Sequence, residues 1–514
     1  MRNSRKYFAL AFGMMAGACT YDFPETAEPT AGEADFTKMI SVGSGLSTGF
    51  MNGALYTAGQ DASFVRILAQ QMQAVGGGTF TQPDVASENG CYNPAANCTA
   101  GRLYLKINPT TGSPGPTPKP GDGGKALAPY SGSANLNNFA VPATTLLLSL
   151  IPQTGGPAVP QNPAYNPYYG RIASIPSVST IIGDAAKAFG NGGTFLTFWL
   201  GNDDVLGYAT AGASAAVPLT TNDDFNTRYN TALNTMLSAS ANAKGVVANI
   251  PDVTSLPFFS TVAYNPIPLD AATAAYLTSQ LAVNYNAFLD AMVANQIITA
   301  DEAAYRKLTY IAGNNPILIN DETLTNLEPY MAGPYAGLKP YAIARQTKFD
   351  AIDPTKRDYV CLTAGSYIGA NLGANGVNGV SAPLTNTSSA NAQALKGDDL
   401  ILIPQEITQI QASISAFNGI IKTAVDAHAD RLAFVDANAI LASLKTNGAR
   451  VNGATITASI SPPFGGFGLD GVYPNARGNG YLANAFITAI NAKFKSGIPL
   501  CNPNNFAGNE LPVQ

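Results

Sequence analysis

Five short apolar runs punctuate the chain, at 39–42 (MISV), 138–141 (NFAV), 195–200 (FLTFWL), 246–250 (VVANI) and 432–435 (LAFV), with helical patterns between them. Runs of four to six apolar residues are too short for ordinary helices but suit strands buried on both faces. Alternation of such strands with helices predicts an α/β fold around a five-stranded, mostly parallel sheet. Several runs end in Gly, Pro, Asn or Asp, as expected where a strand's carboxyl end opens into a ligand-facing loop. Before the fifth run, Ile407, Ile410, Ile414, Phe417, Ile421 and Val425 step by three or four and predict one buried helical stripe. Thr299 and Glu302 have the spacing of a capping box that opens another helix.

Two stretches interrupt this pattern. Residues 91–124 include TTGSPGPTPKPGDGG and read as a Gly/Pro loop; residues 256–397 interpose helices and a Gly/Asn-rich segment, the expected helical insertion beside the sheet. Charge narrows the function classes. With 28 Lys+Arg against 33 Asp+Glu the formal charge is −5, which lacks the basic footprint of a nucleic-acid binder. The chain holds one histidine, so any Ser–His or Cys–His chemistry must run through His428.

Arg2, Arg5 and Lys6 precede an apolar run at 7–18, shorter than the roughly 20 residues that span a bilayer and shaped like a secretory leader. It ends in Ala16-Gly17-Ala18-Cys19. Small residues before a Cys resemble the lipobox of bacterial lipoproteins, which implies that residues 1–18 are removed and Cys19 carries the lipid. Cleavage after Ala18 with an incidental Cys19 is the other reading. Thr20 after that Cys favours, by the same resemblance, the outer membrane of a Gram-negative bacterium. Residues 19–35 are rich in Ala, Pro, Glu and Thr and read as a flexible tether, leaving 36–514 as the folded domain. Export permits disulfides, and Cys91 and Cys98 flank a Pro/Asn turn, so a local bridge is expected. Cys361 and Cys501 either pair or remain thiols.

Four blocks in order carry a family resemblance: SVGSGLSTGF after the first run, LNNFAVPATT at the second, FWLGNDDVLGYA at the third, and GLDGVYPNARGNGYLANAFITAIN near the end. They resemble the SGNH/GDSL lipase and esterase family, in particular its large outer-membrane lipoprotein members. The likeness covers nearly the whole chain beyond the tether and implies a three-layer, flavodoxin-like fold.

The same likeness implies a damaged active site. Gly43-Ser44-Gly45-Leu46 places Gly45 where the family has its nucleophilic Ser. Ala143 replaces the second-block Gly, whose N–H helps hold the oxyanion. Gly201-Asn202-Asp203-Asp204 puts Asp203 at the oxyanion Asn, and an ionised carboxylate cannot donate a hydrogen bond. Asp470-Gly471-Val472-Tyr473 keeps the orienting acid but replaces the base His with Tyr473, a poor base at neutral pH. Ser44 is adjacent to the nucleophile position but lacks a base, Ser47 falls at a structural Ser/Thr position, and His428 reads as a helix-end residue meeting the dipole.

Loss of nucleophile, oxyanion donor and base together removes a unit whose members act cooperatively. The expected function is therefore a catalytically inactive, lipid-anchored protein that binds a lipid or acyl ligand or an outer-membrane transport barrel. The alternatives are a divergent esterase, or an enzyme using Asp203 and Asp470, with Asp204 nearby, for acid–base work or a hard cation. No cofactor and no metal centre are assigned. Whether Asp203, Asp470 and Tyr473 line an open pocket or fill it separates these readings.

Overall fold

The structure, a computed structural model, describes residues 29–92, 94, 98–107, 114–132, 135–353, 356–386 and 397–513. Cys19, the apolar leader and residues 19–28 of the expected tether lie outside the described residues. The fold is mixed α/β around a central four-stranded parallel sheet. Its strands are β1 (Met39–Gly43), β2 (Phe195–Trp199), β3 (Lys244–Ala248) and β4 (Leu432–Val435), side by side in that order.

The expected fifth strand is only partly formed. The run at 138–141 lies extended along the free edge of β1: Ser41 N–H donates to Asn137 O (2.8 Å), Phe139 N–H to Ser41 O (2.8 Å) and Val141 N–H to Gly43 O (3.1 Å). It forms a single parallel bridge, Ser41 to Asn138, rather than a regular strand. Asn138 Oδ1 takes the Ala140 N–H at 3.1 Å on the side away from β1, and Ala143, the next residue whose N–H would face β1, turns left-handed at φ 54°, so the extended run ends there. The second run thus sits outside β1 while the third, fourth and fifth runs sit on its other side. That reversal opens a crevice at the carboxyl ends of β1 and β2, the place where open α/β sheets bind ligands.

Seven helices matter for the site and its support: α1 (Phe64–Met72), α2 (Ile181–Gly190), α3 (Asp203–Thr210), α4 (Asn222–Ala239), α5 (Pro404–Asp426), α6 (Ala437–Asn447) and α7 (Ala476–Phe494). Strand side chains alternate between two cores with period two. Ile40, Val42, Leu196, Phe198 and Val247 pack against α2, α4 and α5 on one face. Met39, Phe195, Trp199, Val246 and Val435 pack against α1 and α7 on the other. The result is three layers, and each large side chain buried between them contributes about 1.5–3 kcal/mol.

Side-chain caps open the long helices: Thr180 accepts from Gly183 N–H, Thr221 from Asp224 N–H and Asn475 from Gly478 N–H. All six residues of the expected stripe are buried along α5. Thr299 caps the helix Ala300–Arg306 by accepting from Glu302 N–H at 3.1 Å, but the Glu302 carboxylate turns to Arg306 and Thr325 instead of back to the cap.

Both interruptions differ from their expected form. Within 91–124, Ala100–Ile107 and Pro114–Pro120 form an antiparallel hairpin where a loop was expected. Its prolines alternate at 114, 116, 118 and 120, so Gly115, Thr117 and Lys119 retain the N–H groups that can face the partner, and the outer edge offers no donors. Cys91 and Cys98 are bonded, with Cα atoms 4.6 Å apart. Cys361 is a buried thiol and Cys501 a partly buried one. The stretch 256–397 is not purely helical: short antiparallel pairs such as Leu318–Asn320 with Ala344–Gln346 join its helices. Tyr285, Phe288, Leu289, Ile317 and Leu327 give it a separate hydrophobic core. Nearby, fully buried Arg345 bridges Asp321 and Asp358. No helix among the described residues is long and apolar enough to cross a membrane.

Candidate functional site

Four segments meet at the carboxyl end of the sheet. After β1, Ser44 leads into the one-turn helix Gly45–Thr48, which Gly49 closes with φ 78°. After β2, Gly201 turns the chain with φ 105°, a conformation open to glycine, and Asn202 and Asp203 enter α3. The loop before α7 brings Asp470 and Tyr473. Ala143 follows the extended run at the same end, exposed and with φ 54°, so it keeps a left-handed backbone that glycine adopts more readily.

Tyr473 fills the space beside Gly45. A Cβ built on Gly45 would stand 2.5 Å from Tyr473 Cε1 and 2.7 Å from both Cζ and Oη. Carbon atoms in contact prefer about 3.5–4.0 Å, so ring and side chain cannot share this space. Phe50 holds the ring from another side, edge to face at 5.0 Å between centroids. Lack of a side chain at Gly45 is therefore matched in space by the bulk of Tyr473.

Asp470 is fully engaged in holding the loop. Its Oδ1 accepts from Val472 N–H and Tyr473 N–H, each at 2.8 Å, and its Oδ2 accepts from Gly53 N–H at 2.8 Å. Burial raises its pKa against these three donors. Asp204 is similarly committed, its Oδ2 to Leu146 N–H (2.8 Å) and its Oδ1 to the Thr220 hydroxyl (3.1 Å), and burial pushes it up to about 6. Both carboxylates therefore act as fasteners between distant segments.

Asp203 differs. Burial pushes its carboxyl up to about 7; the nearby Ser44 hydroxyl pulls it down, and the Asp204 charge adds to the rise. Yet neither Asp203 Oδ2 nor Ser44 Oγ, both enclosed, completes a hydrogen bond within the protein. Burial raises the Tyr473 phenol well above its ordinary value, and the charges of Asp203 and Asp470 act in the same direction. Such a phenol stays neutral and can donate a hydrogen bond but cannot serve as a base at neutral pH.

His428 is excluded by topology. It lies just past α5, before the amino end of β4, and its Nε2 is 3.3 Å from Asn234 Oδ1, so it sits at the opposite end of the sheet from Gly45. Ser47 is buried directly beneath Gly43, where its side chain would block a Cβ, consistent with a packing role. Among the described residues, no cluster of three or more His, Cys, Asp or Glu is placed to hold a metal ion.

Beside the Tyr473 ring runs an apolar cavity of about 80 Å³. Leu46, Trp199, Leu256, Leu441, Val472 and Tyr473 are among its walls. Asn202 also lines it, 2% exposed, with neither Nδ2 nor Oδ1 hydrogen-bonded to the protein. Asn202 is not among the residues expected at the site; its place one residue before a helix, after a strand's carboxyl end, is the sequence signal that marks it. The remaining wall residues come from the loop after β3, the loop before α7, and α3, α6 and α7, and no local pattern marks them. Comparison with protein-family models, curated proteins and solved structures finds no match for this chain.

Proposed function

We propose that the chain is a degenerate SGNH/GDSL-type hydrolase that no longer catalyses ester hydrolysis and acts as a lipid-anchored ligand-binding or partner-binding protein of the outer membrane. The observation that carries this reading is the Tyr473 ring in the space a Gly45 side chain would need. The spatial order of the five runs, with the second outside the first, supports the flavodoxin-like assignment. Domain limits follow the sequence reading: leader 1–18, tether 19–35, and an SGNH-like domain 36–514 with insertions at 91–124 and 256–397.

The ligand half of the proposal rests on the apolar cavity, whose walls suit an aliphatic or acyl chain. The partner half, including an outer-membrane barrel, rests on the AGAC segment and the likeness to outer-membrane lipoproteins. Acid–base work by Asp203 and Asp470 as a pair loses support because three backbone N–H groups occupy Asp470.

The purified protein is expected neither to hydrolyse short-chain acyl esters nor to be labelled by a serine-directed phosphonate. Robust hydrolysis blocked by that phosphonate overturns the pseudoenzyme reading. Cys19→Ser should release the protein from membranes; continued sedimentation with the outer membrane in high salt removes the lipid-anchor reading.

A further inference from the structure

Two orphaned polar atoms stand at the wall of a cavity otherwise bounded mainly by hydrocarbon. The Asn202 amide has one acceptor and one donor group, is 2% exposed, and bonds to nothing in the protein. At the N-cap of a helix, an Asn side chain ordinarily accepts from a backbone N–H of the first turn; Asn202, at that place before α3, makes no such bond. A buried amide without protein partners costs free energy unless another molecule, an ordered water or a ligand group that displaces it, pairs with it.

We propose that this cavity takes an uncharged amphiphile: a short aliphatic chain whose head group both donates and accepts a hydrogen bond, paired to Asn202. The chemistry of the head follows from the amide. Oδ1 needs a donor and Nδ2 an acceptor, and a hydroxyl or primary amide supplies both. A carboxylate offers only acceptors and an ammonium only donors, so each leaves half of Asn202 unsatisfied. The neighbouring Asp203 carboxyl, with its own unpaired Oδ2, disfavours an anion further. Leu46, Trp199, Leu256 and Leu441 provide the apolar surface for the chain. An apolar void of about 150 Å³ admits benzene; the cavity of about 80 Å³ is roughly half that and encloses a few carbons. This inference rests on the ligand-binding reading above and specifies its ligand.

Trp199 is the only tryptophan in the chain and lines the cavity, so its fluorescence reports on this site alone. The full-length protein is titrated with butan-1-ol, 1-methoxypropane, butane, butylammonium and butanoate at pH 8. The ether has the size of the alcohol but cannot donate; butan-1-ol is expected to bind about tenfold more tightly than it, and than either ion. Asn202→Leu is expected to shift the preference between butan-1-ol and butane about tenfold towards butane. Ether binding as tight as alcohol binding in the unmodified protein overturns the head-group assignment, as does an unchanged preference in the variant. If Asn202→Leu does not fold, the ether comparison decides alone. If none of the probes perturbs Trp199, the ligand-binding reading itself falls; if all uncharged probes bind equally, only the role of Asn202 does.

Discussion

Adding a single methyl group at Gly45 tests whether the Tyr473 ring fills the space that a side chain there would need. In Gly45→Ala the new Cβ lies 2.5–2.7 Å from three atoms of the Tyr473 ring system, about 1 Å closer than a relaxed contact. The strain falls on the ring, because Gly45 belongs to a buried turn directly after β1. Retreat of the ring loosens its edge contact with Phe50, and such aromatic pairs contribute about 0.5–1.5 kcal/mol. Together with the general penalty for overpacking, about 1–3 kcal/mol, and allowing for the partly exposed face of Tyr473, the expected loss is about 1–2 kcal/mol.

Comparison with Tyr473→Ala isolates the effect. In that background the methyl group enters the vacated space, and the cost of Gly45→Ala should fall below about 0.5 kcal/mol. Any effect of Gly to Ala on the unfolded chain is the same in both backgrounds and cancels. Urea unfolding followed by Trp199 fluorescence on the four proteins gives a coupling energy expected near 1 kcal/mol. Additivity within about 0.3 kcal/mol refutes the steric argument. The same geometry implies that Gly45→Ser alone restores no hydrolysis, whereas Gly45→Ser, Asp203→Asn and Tyr473→His together also remove the obstructing ring.

Two further predictions follow from buried charge. Asp203, with a pKa pushed up to about 7 in the folded protein, binds more protons there than in the unfolded chain between about pH 4 and 7, so its favourable contribution is complete below pH 4 and is lost as pH rises towards 7. Asp203→Asn is therefore expected to raise stability at pH 8 relative to pH 4 by about 1–3 kcal/mol in urea titrations, and an equal effect at both values counts against a buried carboxyl. Arg345, fully enclosed, is held by Asp321 at 2.5 Å and by both oxygens of Asp358 at 2.6 and 2.7 Å; Asp358→Ala should destabilise the 256–397 region by about 3–5 kcal/mol, read as lost amide-exchange protection there, and protection equal to that of the parent protein would falsify the network's structural role.

Local periodicity carried much of the architecture. Four of the five apolar runs became strands of the parallel sheet, and the stripe at 407–425 became the buried face of α5, because strand and helix repeats are set by backbone geometry over a few residues. The absence of a Ser side chain at position 45, and of histidine from the loop carrying Asp470, is likewise a property of the sequence itself. Chain packing decided the rest. The 138–141 run ended where Ala143 turns left-handed, and the Pro-rich stretch became a hairpin edge once a partner strand lay beside it. Asp470 also accepts from Gly53 N–H, more than four hundred residues earlier, a contact that only the closed fold makes. That Tyr473 lies against Gly45, and that Asn202 borders a cavity without a partner, depends on side-chain directions set by segments remote in sequence and adjacent only after the sheet and its two helical layers close.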